Sequence, residues 1–434
     1  MVPPGRYCVM DVPIRPKTVL RRVLPNGCVV LALQDRSSPT VAVRILLPHA
    51  GAAADGTDAA GRARFVAAIL PRGTEGYSAD ALAEELDGMG ASLQVSAGRE
   101  AAELTARSLA EDVRRLLDLC GEVLIHPAFP EDEVERLRGE IVTSLRVLGK
   151  DPRTVAQWTL GRLLYPPPHP FGIPAEGIEE TVVRLQRPDL VEFWHRHYGP
   201  QGAIVAVVGD IEPEEALDAV AARFDRWQVP SLEPLPDPGD PPRPPAVVRE
   251  VVTIEGKVQA DVAVGVPGVR RSDPDYLPLR VGNLILGEMG LMGRIGDVVR
   301  ERKGLAYYAL SVLTAGKWGG PWYAIAGVPP ERVREAAEAM VEEFTRMRDE
   351  GPTPEELLDA IQNRIGWLQV SFEGGPAKAQ LLTYTEFHGL GLDYWVRFPD
   401  LVRRVTREDI VEAFRRHFPG PYAVAAAGPG GITL

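Results

Sequence analysis

Apolar positions along the chain fall into two periods. Val333, Ala337, Met340, Phe344 and Met347 recur every three or four residues, which predicts a helix with one buried face, ended by Gly351. The run Thr353-Pro354-Glu355-Glu356 predicts the next helix start, with Thr353 as N-cap, proline in the first turn and Glu356 closing a capping box. Shorter apolar or alternating runs at 28–34, 41–47, 259–266 and 322–327 predict strands. Strands and helices are mixed along both halves with hairpin-like neighbours, so the expected class is α+β, a sheet packed with helices.

The pattern repeats. RPDLVEFWHRHYGPQGAIVAVVGD, ending at Asp210, matches TREDIVEAFRRHFPGPYAVAAAGP, ending at Pro429: a capped helix, a Gly/Pro turn and an apolar β run. GASLQVSAGREAAELTARSLAEDVRRLLDL is echoed by GLAYYALSVLTAGKWGGPWYAIAGVPPERVREAAEAM, each two strands followed by an amphipathic helix. Duplication is the economical explanation. Between the halves, residues 229–245 hold eight prolines in a short polar stretch that suits neither a helix interior nor a central strand. The expected organisation is an N-terminal lobe over 1–228, a linker over 229–246 and a C-terminal lobe over 247–434. Each lobe is expected to be a mostly antiparallel sheet with helices.

A net charge of −12 without a basic stripe argues against nucleic acid or an anionic membrane as partner. Cys8, Cys28 and Cys120 are odd in number and scattered, which excludes a disulfide framework and a zinc knuckle and fits a reducing compartment. Residues 1–22 contain no apolar run of signal-peptide length, and no window approaches the length of a membrane span. The expected location is cytoplasmic.

Stand-alone catalytic signatures are absent: no G-x-S-x-G, no Walker loop, no G-x-G-x-x-G and no H-E-x-x-H. Gly287, Gly290 and Gly293 have the wrong spacing for a phosphate cradle and read as a structural turn. A different resemblance covers nearly the whole chain. LPNGCVVLAL at 24–33, Ala50-Gly51 and GRARFVAAILPRGT at 61–74 resemble the N-terminal block of the insulinase/pitrilysin metallopeptidases, whose pattern is G-x-A-H-x-x-E-H-x-x-x-x-G-T. HPAF at 126–129, HPFG at 169–172 and VVGD at 207–210 follow in family order.

In that family an inverted H-x-x-E-H places two histidines on zinc, with the glutamate between them as general base and a distal glutamate as third ligand. The resemblance sets Arg64 and Ala68 at the histidine positions, Ala67 at the base and Ser144 at the distal glutamate. Glu140 lies near enough for a slip of register, but one carboxylate does not hold a catalytic zinc. Arg64 adds a fixed cation; at about 3 Å and an effective dielectric near 20 it would repel a dication by on the order of 10 kcal/mol. Its plainer reading is a surface or salt-bridged arginine. No metal or other cofactor is therefore expected in this chain.

The second half differs. VRERKGLAYY at 299–308 resembles the family's L-R-E-x-x-G-L-A-Y segment, whose Arg and Tyr reach the catalytic chamber from the C-terminal lobe; Arg300 and Tyr307 stand there. Both side chains donate hydrogen bonds suited to a scissile carbonyl and its oxyanion. The alternative is that Arg300 pairs with Glu301 or another acid and Tyr307 packs in a sheet. In two-subunit members one chain brings zinc and the other this pair.

The resemblance thus implies a non-catalytic subunit of a heterodimeric zinc endopeptidase. A homologous zinc-bearing chain would be its partner and an extended peptide its substrate. Rival expectations are a scaffold of the same fold, like the core proteins of the respiratory bc complex, and a self-sufficient enzyme with other ligands. His195 and His197, two apart on a helix, diverge and cannot share a metal. His417 repeats His197 and suggests packing, His49 and His388 are isolated, and the glycine-rich stretch 371–377 reads as a plain turn.

Overall fold

The computed structural model describes residues 12–289 and 293–434. Cys8, the start of the N-terminal segment and Gly290 lie outside the described residues. The strands are β1 (Val19–Val23), β2 (Val29–Gln34), β3 (Thr40–Leu47), β4 (Ser92–Ala97), β5 (Ala102–Leu109), β6 (Ile204–Gly209), β7 (Val248–Thr253), β8 (Ala260–Pro267), β9 (Tyr308–Ala315), β10 (Gly319–Val328) and β11 (Ala423–Gly428). They build two sheets, ordered β1-β2-β6-β3-β5-β4 and β7-β11-β8-β10-β9.

Without β1, the two orders are the same, with β2, β6, β3, β5 and β4 standing for β7, β11, β8, β10 and β9. The exception to antiparallel pairing is also shared: β2 runs parallel to β6, with Val29 opposite Ile204, and β7 parallel to β11, with Val248 opposite Ala423. The sequence echo is thus an echo of topology.

Helix boundaries follow the local chemistry read from sequence. Val333–Asp349 buries Val333, Ala337, Met340, Phe344 and Met347, and Gly351 follows with φ +72°. Pro354–Val370 starts at Thr353, whose side chain accepts from the Glu356 N–H while Glu356 returns a bond to the Thr353 N–H. Such a cap is worth about 1 kcal/mol.

Strands β6, β8 and β11 are buried along their whole length, so they read as unbroken apolar runs and not as alternation. The cause is a covering on both faces. In the first sheet Val30, Ala32, Val205 and Val207 face one core with the N-terminal helices. Leu31, Leu33, Ala206 and Val208 face the other side, in one cluster with Ala379 and Leu382 of helix Gly375–Phe387. That helix comes from the second half. Its Lys378 pairs with Asp35, and a side chain at Gly375 would press on the Val208 carbonyl at 3.2 Å.

The second half is served reciprocally. Helix Pro152–Leu164 lays Leu160 and Leu164, with Tyr165 just beyond its end, on Ala263, Ile325, Ala423 and Ala425 of the second sheet. Its Gln157 donates to the Tyr323 hydroxyl at 2.9 Å, and the Tyr165 hydroxyl donates to the Gly319 carbonyl at 3.1 Å.

Residues 229–246 carry neither helix nor strand. They are tied to both halves: the Glu233 N–H donates to the Arg196 carbonyl, Arg270 pairs with Asp237 and Asp240, and Arg243 donates to the Arg416 carbonyl. A second bridge joins hairpin tips. Glu100, between β4 and β5, accepts the N–H groups of Lys317 and Trp318, between β9 and β10, at 2.9 and 3.1 Å.

Candidate functional site

The segment that resembles the zinc-ligand block folds as helix Arg62–Ile69. Gly61 opens it at φ +98°, a left-handed conformation that costs a non-glycine residue strain. The cap is Asp55, which accepts the N–H groups of Gly61 and Ala63 at 3.0 and 2.8 Å. Burial pushes the Asp55 carboxyl up to about 7, against the pull of the Ala63 N–H and the Arg62 charge. Sequence reading missed Asp55; an acid a few residues before a helix was the available signal.

Along this helix Ala67 is fully buried, while Arg64 and Ala68 are half-buried. Arg64 makes no hydrogen bond or ion pair with the other described residues, and of the two plain readings the half-buried surface arginine is the one these residues support. The helix packs against Glu131–Leu148, where the Arg138 guanidinium lies over the Phe65 ring, 5.5 Å from its centroid. Ser144 is half-buried on that second helix. One turn before it, Glu140 is exposed and held by both nitrogens of Arg72, at 3.0 and 2.6 Å. That carboxylate is already paired.

On the register that the resemblance implies, a guanidinium, two methyl groups and a hydroxyl stand in place of two imidazole ligands, one carboxylate ligand and a general base, and these residues do not fit the metal. Among the described residues, the grouping of His, Cys, Asp or Glu that could hold an ion is Asp273, Asp275 and His417, in the second half. There Arg416 donates two hydrogen bonds to Asp275, both at 2.7 Å, and His417 makes a third contact at 2.9 Å, so the site already has its cation.

Arg300 lies on a short π-helical segment, Gly296–Arg302. Its side chain is partly exposed and reaches Glu301 at 3.6 Å, a loose pair and its one ion pair among the described residues. Tyr307 precedes β9; its N–H donates to the Gly327 carbonyl and the residue is 81% exposed. The Arg300 alternative is thus met in part, whereas Tyr307 does not pack in the sheet. Its neighbour Tyr308 does, with its hydroxyl on Asp261 and the Arg153 guanidinium over its ring at 4.7 Å.

The histidines divide. His195 is exposed and His197 buried against Phe193, so they diverge as their spacing requires. His417 does not repeat the role of His197, since it contacts Asp275 and not an aromatic ring. Gly287 and Gly293 pack on each other, a Cβ on Gly293 falling 2.7 Å from the Gly287 Cα; close approach, more than a turn, explains them. Residues 371–377 form a turn that runs into the helix on the first sheet. No helix among the described residues is long and apolar enough to cross a membrane.

Comparison with known proteins agrees with this geometry. Residues 29–162 match the model of Insulinase (Peptidase family M16), and residues 184–364 match Peptidase M16 inactive domain. An uncharacterized zinc protease of Streptomyces coelicolor is 26% identical over 79% of this chain and 75% of its own. One from Mycobacterium tuberculosis is 25% identical over 95% of this chain and 93% of its own. Subunit 1 of the bovine mitochondrial cytochrome b-c1 complex is 27% identical over 61% of this chain and 54% of its own.

Among solved structures, a peptidase M16 inactive domain from Pseudomonas fluorescens superposes with a TM-score of 0.88 at 25% identity, covering 96% of this chain and 99% of the other. A protease from Helicobacter pylori also reaches 0.88, at 18% identity over 95% and 99%, a likeness of fold alone. The duplicated sheets, the exchanged helices and both matched family models lead to one conclusion: this chain belongs to the insulinase (M16) family of peptidases.

Proposed function

We propose that this chain is a non-catalytic subunit that pairs with a homologous zinc-bearing chain, binds an extended peptide and offers Arg300 and Tyr307 to the scissile carbonyl. The observation that carries this reading is the contrast between the halves. The first has no side chain able to ligate zinc at Arg64, Ala67, Ala68 or Ser144, while the second holds an exposed phenol and a loosely paired guanidinium. Strands β4 and β9 are edges of their sheets, which supports capture of a peptide as an added strand.

The test mixes this chain with a zinc-bearing homologue and measures peptide hydrolysis. Arg300→Ala with Tyr307→Phe is expected to lower kcat by on the order of a hundredfold, the usual cost of losing an oxyanion donor. Both side chains are exposed or partly so, so their replacement leaves the core packing in place, and a circular dichroism spectrum checks it. Equal hydrolysis with and without this chain, or with and without the double substitution, overturns the proposal. The likeness to the b-c1 subunit favours a second reading as scaffold, which expects a stable complex whose proteolysis ignores both substitutions.

A further inference from the structure

The second half contains a cavity of about 500 Å³ between helices Tyr276–Asn283, Pro354–Val370, Gly375–Phe387 and Tyr394–Arg403 and the edge strand β9. Its wall includes three arginines, Arg271, Arg280 and Arg364, and no acidic residue.

Arg271 is only 8% exposed, yet no carboxylate among the described residues lies within ion-pair distance of it. Its partners are phenols. Nε donates to the Tyr384 hydroxyl and Nη2 to the Tyr394 hydroxyl, both at 2.6 Å, and the guanidinium lies 4.2 Å from the Tyr276 ring centroid. Neutral hydroxyls and rings orient a cation without cancelling its charge, and an uncompensated buried charge costs several kcal/mol.

The other two arginines share one acid. Arg364 donates to both oxygens of Glu288, at 3.0 and 2.9 Å, and Arg280 to one of them at 2.7 Å. Arg364 is 6% exposed and its Nε has no hydrogen-bond partner among the described residues. Among the described residues, three cations against one carboxylate leave an excess of two positive charges around a hollow. A folded core without a ligand has no reason to accumulate this; an anion placed there removes the cost.

The rest of the wall fixes the class of anion. Trp367, Trp395, Phe398 and Leu313 give it an apolar, largely aromatic surface. A small inorganic anion would leave that surface unused. Because the Tyr394 oxygen accepts from Arg271, its own proton can point at an incoming acceptor, whereas the Tyr384 hydroxyl is also hydrogen-bonded to Tyr276.

We propose that this cavity binds a carboxylate carried on an aromatic or branched apolar body, with Arg271 and Tyr394 meeting the carboxylate, Tyr384 orienting Arg271, and Trp367, Trp395 and Phe398 lining the space for the body. The shared chemistry fits a free aromatic acid and the C-terminal residue of a peptide alike. It stands apart from the Arg300 and Tyr307 reading.

The experiment titrates the full chain with 4-phenylbutyrate, 4-phenylbutanol, and a short phenylalanine-ended peptide as free acid and as C-terminal amide, reading heat and tryptophan fluorescence. The expected result is saturable binding of one or both carboxylates, with the matching alcohol or amide weaker by at least about tenfold. Binding of 4-phenylbutyrate alone assigns a free acid; binding of the peptide acid assigns a peptide C-terminus. Arg271→Gln should weaken binding by a similar factor. Should that variant fail to fold, Ala377→Trp, which fills the hollow from a half-exposed helix position, should abolish binding in a folded protein. No saturable binding by either carboxylate at millimolar concentration, equal binding of acid and neutral analogue, or binding unaffected by Ala377→Trp overturns the proposal.

Discussion

Replacing Glu100 by alanine tests whether the two hairpin tips hold the halves together. The carboxylate accepts two backbone N–H groups, from Lys317 and Trp318, and bonds of this charged kind contribute about 1.5 kcal/mol each at the lower end that partial exposure dictates. Glu100→Ala should therefore cost about 3 kcal/mol, and Glu100→Gln, which keeps one acceptor oxygen, about half that. Gly316 supplies an independent handle. A methyl group there would lie 2.5 Å from Glu100 Oε2, so Gly316→Ala displaces the same carboxylate without touching it chemically. The two substitutions should be coupled, with Gly316→Ala nearly neutral once Glu100 is alanine and a coupling of about 1–3 kcal/mol. Urea unfolding measures the cycle, and hydrogen exchange at the Lys317 and Trp318 amides locates it. Losses that add to within about 0.5 kcal/mol, or unchanged exchange at those amides, would refute the reasoning.

Asp55 gives a pH signature. Its folded carboxyl titrates at about 7, above the value of an unfolded aspartate, so between the two the folded state holds a proton that the unfolded chain has released. This group's contribution to stability is full at acid pH below the unfolded value and fades as the pH rises to about 7. Asp55→Asn removes the titration, so the stability difference between parent and variant should change between pH 5 and pH 8 in urea melts; a constant difference contradicts it. In the second core, Asn283 is fully buried and its Oδ1 accepts from Trp322 Nε1 at 2.9 Å. Asn283→Leu strands that indole N–H and should cost about 1–3 kcal/mol by thermal or urea unfolding, whereas a loss under about 0.5 kcal/mol would show that Trp322 finds another acceptor.

What could be read from the sequence was whatever is local. The capping box at Thr353 and the stripe from Val333 to Met347 depend on neighbours within a turn or two, and both stand as expected. The helix that carries Arg64, Ala67 and Ala68 was legible for the same reason, its three positions lying within two turns. Periodicity does not say which sheet a helix covers, so the crossing of Gly375–Phe387 onto the first sheet was hidden. So were contacts joined only by the fold, such as Glu100 with Trp318 or Arg271 with Tyr384 and Tyr394. The apolar runs of β6 and β11 did hint at it, because a strand with no polar side has no face left for water.

The exchanged helices carry a consequence for inheritance and handling. A single unit of this design would leave one side of its sheet bare and would have to trade helices with a copy of itself, as swapped dimers do. Fusing two units in one polypeptide makes that trade independent of concentration. A protease nick within 229–246 should then leave the particle whole, while either fragment expressed by itself should be insoluble until it meets the other.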